Sequence, residues 1–552
     1  MPFSRFPPPL LLRRVMCSML RGTDRACGGA MMLALAAPLL LGAQATPDSL
    51  ADSARRVTKV VLIRHDVYDS AESMRWTRRI ANKLHIRTQT RVVERELLLH
   101  PGDLLDSARA AETARNLRRL RVFRDVSVDT SADGSTVRVT TKDGWTTRPY
   151  ANFRSTGGQR LFSLGVLETN FLGLAATLDA RYVQDPDRSL LRLAFGAPRL
   201  ISNRVGAGVF YNRLSDGSSF GGTIEQPFFS LSSRTAARIS FVTFQGRVLR
   251  FRDGVLTPRD SLDRRFTLGT ISGAHALLAS PRGYLRLGGE AQIRRDDFAP
   301  RTGAPNSIPR TVTGAVTGWL DLSKARFLVT RNYRMMAQPE DVDLSSTIRL
   351  GVAVAPAAFG YNKSGAGPVI FAQTGARIPG GFARIAGRVS GLASGGVIDS
   401  GTATVNATVA LQPGPRHLLV AFSTLGWDRN PYPGEEFDIG LSRGPRAFRL
   451  HAFTGDRQRY SMIEYRYTVL PSIIGAFAAG IAVFAETGGA WYSGTPVRTG
   501  QDAGIGLRTS PIRSASNVGA TRMDLVRRFA TDRQPAGWDF VLGTGFTFDS
   551  LR

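Results

Sequence analysis

FDIGLSRGPRAFRLHAFTGDR runs from Phe437 to Arg457, SMIEYRYTV from Ser461 to Val469, and AGIAVFAETGGAW from Ala479 to Trp491. In the second of these, a period of two sends Ile463, Tyr465, Tyr467 and Val469 to one face of an extended strand, and Glu464, Arg466 and Thr468 to the other. One face is oily and aromatic; the other is charged. A soluble sandwich buries its apolar face and turns its charges to water, whereas a membrane barrel turns its apolar face to lipid and its charges to a polar lumen. The rest of the chain has to decide between them.

A chain of 552 residues has room for more than one domain. Arg13, Arg14, Arg21 and Arg25 precede an apolar run from Ala30 to Leu41, and Ala43-Gln44-Ala45 follows it. This is the charged region, apolar region and small-residue cleavage site of a secretory signal, and it predicts cleavage after Ala45. The run is short for a membrane anchor. It also follows Cys27 instead of preceding it, which argues against a lipoprotein site. Cys17 and Cys27 both fall in this segment, so the processed chain is expected to carry no thiol. After the signal the longest apolar candidate, Ile473 to Ala485, is broken by Gly475 and Gly480. An exported chain without membrane helices is either a soluble exported protein or a barrel.

The formal charge of +28 raises the question of nucleic acid. Only five of the basic residues are lysine, and the arginines are spread along the chain. A nucleic-acid face needs clustered charge on a recognisable module, so no nucleic-acid partner is expected. An arginine-lined lumen or contact with anionic lipid accounts for the same composition.

Residues 46–56 read as a linker and 57–144 as a small α/β domain. Val60 to Ile63 form a strand, and Arg78 to Leu84 a short helical turn. Thr90 to Leu99 is expected as a helix stopped at His100-Pro101-Gly102. Asp106 is placed to cap a second helix, Ser107 to Arg121, whose apolar stripe is Ala110, Ala114, Leu117 and Leu120. Two strands follow around Asp133-Gly134, with Val126 and Val128 on the first and Val137 and Val139 on the second.

From 145 to 552 no helical period survives. Alternating segments are separated by Gly, Pro, Asp, Asn and Ser. Ile348, Leu350, Val352 and Val354 alternate with Thr347, Arg349, Gly351 and Ala353. Leu285, Leu287, Ala291 and Ile293 alternate with Arg286, Gly288, Glu290 and Gln292, and Val405, Ala407, Val409 and Leu411 with Asn406, Thr408, Ala410 and Gln412. Charges recur on the inward set, which no soluble core tolerates. The fold class is therefore mainly β, a transmembrane antiparallel barrel preceded by the small α/β domain. Segments counted by eye number about twenty, but at about 25 residues per strand and turn the roughly 408 residues available suit sixteen strands.

VVERELLLHPGDLLDSARAAETARNLRRLRVFRDVSV, Val92 to Val128, followed by VRVTTKDGW, resembles a POTRA domain, the periplasmic module of the BamA/TamA-like outer-membrane assembly-factor and surface-antigen family. LETNFLGLAATLDARYV and LRLAFGAPRL resemble the family's early barrel strands. The segment Trp538 to Phe548, with Gly543, Phe546 and Phe548, resembles its C-terminal β-signal. GPRAFRLHAFTGDR resembles its lid loop: Arg446, Ala447 and Phe448 stand at the Arg-Gly-aromatic motif, with alanine in place of glycine, and Gly455 and Asp456 close the stretch. The resemblance implies that the lid folds into the lumen and that Arg446 packs against Glu464 and Glu486. It implies an outer-membrane location with the N-terminal domain in the periplasm, and assistance to insertion or secretion of client polypeptides. Lipid, unfolded clients and periplasmic accessory subunits are the implied partners, and no cofactor is implied. Strand templating at the POTRA sheet edge and at a weak seam between the first and last strands, Thr146 to Arg154 and Trp538 to Phe548, is the implied mechanism.

Two other classes fit parts of the chain. A passive pore or structural surface protein uses the same fold without clients. Gly440-Leu441-Ser442-Arg443-Gly444 matches a nucleophile elbow, but that motif needs a strand-turn-helix that is missing here. His451 near Ser442 is the one candidate base for a lipase. His65, His85, His100, His275, His417 and His451 show no paired metal-ligand spacing.

Overall fold

The computed structural model describes residues 55–544, except 69–81, 84, 157, 203, 253–254, 257–260, 301–310, 337, 360–363, 442 and 516–519. The signal segment, most of Arg78 to Leu84, Ser442, Phe546 and Phe548 lie outside the described residues.

The N-terminal domain is built from β1 (Lys59–His65), α1 (Thr90–Glu94), α2 (Ser107–Arg119), β2 (Phe123–Thr130) and β3 (Thr136–Asp143). The sheet order is β1-β3-β2, with β1 parallel and β2 antiparallel to β3. Asp106 caps α2 by accepting from the backbone N–H of Ala108 at 2.8 Å and of Arg109 at 3.4 Å. The stripe of α2 packs Ala110, Ala114 and Leu117 onto Val126, Val137 and Val139, with Leu120 at the margin. The turn between β2 and β3 places Gly134 at φ 72° beside Asp133, whose carboxylate accepts from the Ser135 N–H and hydroxyl.

The first helix stops at Glu94, five residues short of the expected Leu99. Its continuation is diverted because the Leu98 N–H donates to the Thr113 hydroxyl at 3.2 Å instead of to the preceding turn. The second helix ends at Arg119, with Arg121 in the left-handed region at φ 58°.

This domain sits against one mouth of the barrel. Arg199 pairs with Glu96 at 2.8 Å, the Leu231 N–H donates to Glu112 at 2.6 Å, and the Trp145 N–H donates to the Arg513 carbonyl at 2.8 Å. The Gln89 N–H meets the Gly173 carbonyl at 2.9 Å. Gly173 is at φ +73° with the Arg87 carbonyl 2.7 Å from where a Cβ would stand, so both backbone and space require glycine.

The barrel is closed and has 20 strands, from β4 (Thr147–Thr156) to the last strand, Gly537–Thr544. This corrects the expected sixteen. Dividing the chain by an average strand length spread the long loops over every strand, whereas six strands fit between Thr147 and Gln226, joined by short turns. Neighbouring strands pair antiparallel throughout, so the ring closes without an open edge.

Period-two alternation sorts side chains as a lipid-facing wall requires. In Arg457–Ile473, Tyr460, Met462, Glu464, Arg466 and Thr468 are buried inward while Ile463, Tyr465 and Val469 are exposed outward. Leu350, Val352 and Val354 are exposed, as are Leu287 and Ile293, while Arg286 is buried. Ile481, Val483, Ile505, Leu507, Met523 and Leu525 continue this apolar outer surface. A soluble monomer does not present so continuous an apolar face to water.

Ile293, 66% exposed at the middle of Gly283–Pro300, and its inward neighbour Gln292 test the assignment. Ile293→Arg is expected to lower the free energy of unfolding in lipid vesicles by about 2–4 kcal/mol, and Gln292→Arg by far less. Equal losses in urea titrations of the two variants contradict a lipid-facing Ile293.

Candidate functional site

The loop between the strands His417–Arg429 and Arg457–Ile473 does not extend away from the barrel. A short ribbon, Phe437–Ile439 paired with Phe453–Gly455, turns it back so that residues 440–441 and 443–452 enter the lumen. Phe448 is fully buried with Ile439, Phe453 and Ala490, its ring 5.3 Å from that of Phe453. The space for it exists because Gly500 has no side chain; a Cβ there would lie 2.2 Å from the Phe448 ring. Ala447 is buried against Phe484, Val526 and Val541 and is not among the residues of positive φ. Its methyl group fills a small apolar niche. Gly455 abuts the backbone of Trp491, and the Asp456 carboxylate accepts from the Ser493 N–H at 2.7 Å.

Arg446, 1% exposed, is the centre of the site. Its Nη2 donates to Glu486 Oε1 at 2.5 Å, its Nε to the same oxygen at 3.1 Å, and its backbone N–H to Glu486 Oε2 at 3.0 Å. Nη1 donates to Asp524 Oδ2 at 2.7 Å, and the guanidinium lies over the Phe484 ring at 3.6 Å. Glu464, expected as a direct partner, stands farther off at 3.6 Å. It accepts instead from Arg508 Nη2 at 2.9 Å and from Arg466 Nε at 2.7 Å. Arg508 closes the circuit by donating to Asp524 Oδ1 at 2.5 Å. The Ala447 N–H donates to Asp502 at 2.8 Å, and the Tyr460 hydroxyl to Glu486 at 3.0 Å.

Glu464 and Glu486 are thus brought to Arg446 as two members of a larger buried network. Asp502, Arg508 and Asp524 are the members that strand-by-strand reading missed. The signal for Asp524 is present in TRMDLVRR, Thr521 to Arg528, where Arg522, Asp524 and Arg528 alternate with Met523, Leu525 and Arg527, and that for Asp502 and Arg508 in GQDAGIGLRTSP, Gly500 to Pro511, where they alternate with Ala503, Ile505 and Leu507. Of the expected β-signal, Gly543 lies in the last strand.

A second anchor holds the outer part of the same loop. Both ring nitrogens of His451 face carboxylates: Nε2 lies 2.6 Å from Asp187 and Nδ1 contacts Asp438, while the ring stacks on Phe251 at 3.6 Å. Arg188, Arg247 and Glu435 line the same recess. With both nitrogens so engaged, His451 has none left to act as a base toward Ser442.

No protein-family model matches the chain, and no curated protein does. Among solved structures it is similar to BamA from Haemophilus ducreyi lacking POTRA domains 1–3, at 12% identity over 89% of this chain and 85% of that one, with a TM-score of 0.36. It is also similar to CdiB from Escherichia coli, at 11% identity over 89% and 76% of the two chains, with a TM-score of 0.45. The corresponding values for CdiB from Acinetobacter baumannii are 11%, 89%, 74% and 0.44.

Burial alone would lower the His451 pKa, but the two carboxylates outweigh it and hold the imidazole up at about 9, above its ordinary 6.5. A folded-state pKa above the unfolded value gives stabilisation that is complete below pH 6.5 and lost as pH rises through 9. The urea midpoint of the wild-type protein should therefore fall across this window, and that of His451→Gln should change much less. Parallel pH profiles for the two proteins refute the anchor.

Proposed function

We propose that this chain is an outer-membrane factor that assists the insertion or translocation of other polypeptides. Its N-terminal domain would stand in the periplasm as a POTRA-like module. The observation that carries this reading is the seam. Among the described residues, the last strand pairs with β4 at only three positions, Phe540 with Ser155, Val541 with Arg154 and Leu542 with Phe153. On its other side the same strand pairs at eight positions, Gly537 to Thr544, with Thr521–Arg528. A wall that is weakest at one junction is where an incoming strand can pair with least loss of existing hydrogen bonds.

The lid supports the same reading. Arg446 ties the loop to Phe477–Trp491 and Thr521–Arg528, and Arg154 of β4 donates to the Leu441 carbonyl of that loop. The loop therefore touches both the buried network and a strand of the seam. In the N-terminal sheet, β1 and β2 are the outer strands, and either edge can accept an extended segment by β-augmentation. Clients would be unfolded barrel proteins or secreted chains, with periplasmic accessory subunits as further partners. The steps are hydrogen-bond exchanges, so no covalent chemistry or cofactor enters. A passive pore fits less well, because the lid occupies the lumen.

The test is a depletion strain complemented with Phe153→Cys/Leu542→Cys in a cysteine-free background. Depletion should reduce several other outer-membrane proteins. The variant should restore them when reduced and fail when oxidised across the seam. An unchanged outer-membrane census on depletion, or full restoration by the crosslinked form, defeats the proposal.

A further inference from the structure

A second segment enters the lumen, from the mouth that carries the N-terminal domain. Between the strands Thr311–Lys324 and Ser346–Ala355 the chain forms a hairpin, Phe327–Arg331 paired with Pro339–Asp343. Its flank packs Tyr333, Val342 and Leu344 onto Phe382, Leu418, Val420, Phe422 and Met462 of the inner wall. Its tip crosses to the opposite side. Gln338 donates to the carbonyls of Pro511 at 3.2 Å and Ser514 at 2.7 Å, the Ala520 N–H donates to the Arg334 carbonyl at 3.0 Å, and Met336 packs on Ala478 and Ala520. The tip is shaped by Glu340, which accepts from the N–H groups of Arg334 and Met335 at 2.9 and 3.0 Å.

The hairpin is held from both sides. Inside, Arg466 donates to the Tyr333 carbonyl at 3.4 Å and to Glu464, which belongs to the network around Arg446. Outside, α2 of the N-terminal domain grips its root. Arg118 makes a two-pronged pair with Asp341, Nε to Oδ2 at 2.6 Å and Nη2 to Oδ1 at 2.7 Å, and Arg115 lies over the Phe327 ring at 4.1 Å. Both members of the ion pair are largely buried, so it is stronger than an exposed surface pair.

We propose that this hairpin is a plug closing the inner mouth of the barrel, and that α2 is its latch. Movement of the N-terminal domain away from the mouth breaks the Arg118–Asp341 fork and frees the plug to leave. The domain thereby controls access to the lumen. A loop held only by the barrel wall would have no reason to be coupled to that domain; a bidentate fork from α2 provides the coupling.

The experiment is solute efflux from liposomes carrying the full-length protein. Arg118→Asp should raise the efflux rate about tenfold, the factor by which losing a charge-assisted pair of ordinary strength shifts a two-state equilibrium. The exchanged pair, Arg118→Asp with Asp341→Arg, should return efflux to within about twofold of wild type, since the pair is restored in reverse. Replacement of residues 327–343 by a short Gly-Ser link should give the largest efflux. Heat-modifiable electrophoretic mobility establishes that each variant is a folded barrel. If the exchanged pair leaks as much as Arg118→Asp, the latch is refuted. If a folded barrel without the hairpin leaks no more than wild type, so is the plug.

Discussion

A guanidinium removed from water has to be met by opposite charge and hydrogen-bond acceptors at every prong, or the fold that buries it is lost. Arg446 is buried this completely in the middle of a wide barrel, and Glu486 and Asp524 meet it directly. The carboxylates sit on Phe477–Trp491 and Thr521–Arg528, two walls that pair with opposite edges of Gly500–Pro511. Arg446 therefore fixes the lid to two strands, and the Ala447 N–H ties it to the strand between them through Asp502. A loop of that length loses about 1–2 kcal/mol of conformational entropy for each backbone residue it orders, so it needs such a fixed point.

The lumen face of the wall is matched to what covers it. Where the lid descends, the inward carboxylates Glu464, Glu486, Asp502 and Asp524 meet Arg446 and the backbone of Ala447, and Arg508 bridges Glu464 and Asp524. Where the hairpin enters, the inward side chains are Leu418, Val420 and Phe422, and they meet Tyr333, Val342 and Leu344. Glu464 and Arg466, neighbours on one strand face, belong to both regions. The two inserted loops are therefore physically continuous through a single ion pair. Displacing one of them disturbs the surroundings of the other.

The alternation that separates Ile463, Tyr465 and Val469 from Glu464, Arg466 and Thr468 was legible from residue order, because a lipid-facing surface must be apolar whatever else the chain does. The elements of the N-terminal domain were legible for a similar reason: the Asp106 cap and the Asp133-Gly134 turn act on their immediate neighbours. Strand number was legible in the local pattern, where the alternating segments come to about twenty; division by an average strand length lost it, because that average spreads the long loops over every strand. Asp524 could not be paired with Arg446 because 78 positions separate them and the register of several strands brings them together. The inserted hairpin resembles a further wall segment in sequence. Its trace is the run Leu418 to Phe422, apolar on both faces, which makes sense only if something apolar lies inside the barrel as well as outside.

The lid's place in the lumen depends most heavily on Arg446, and the most direct measurement is the unfolding free energy of Arg446→Ala in lipid vesicles, with hydrogen exchange across residues 439–453. Removing the cation leaves Glu486 and Asp524 buried without it, so stability should fall by about 3–5 kcal/mol and the amides of the loop should lose protection. Unchanged stability together with unchanged exchange in that segment would contradict the claim that this one buried charge holds the lid in the lumen.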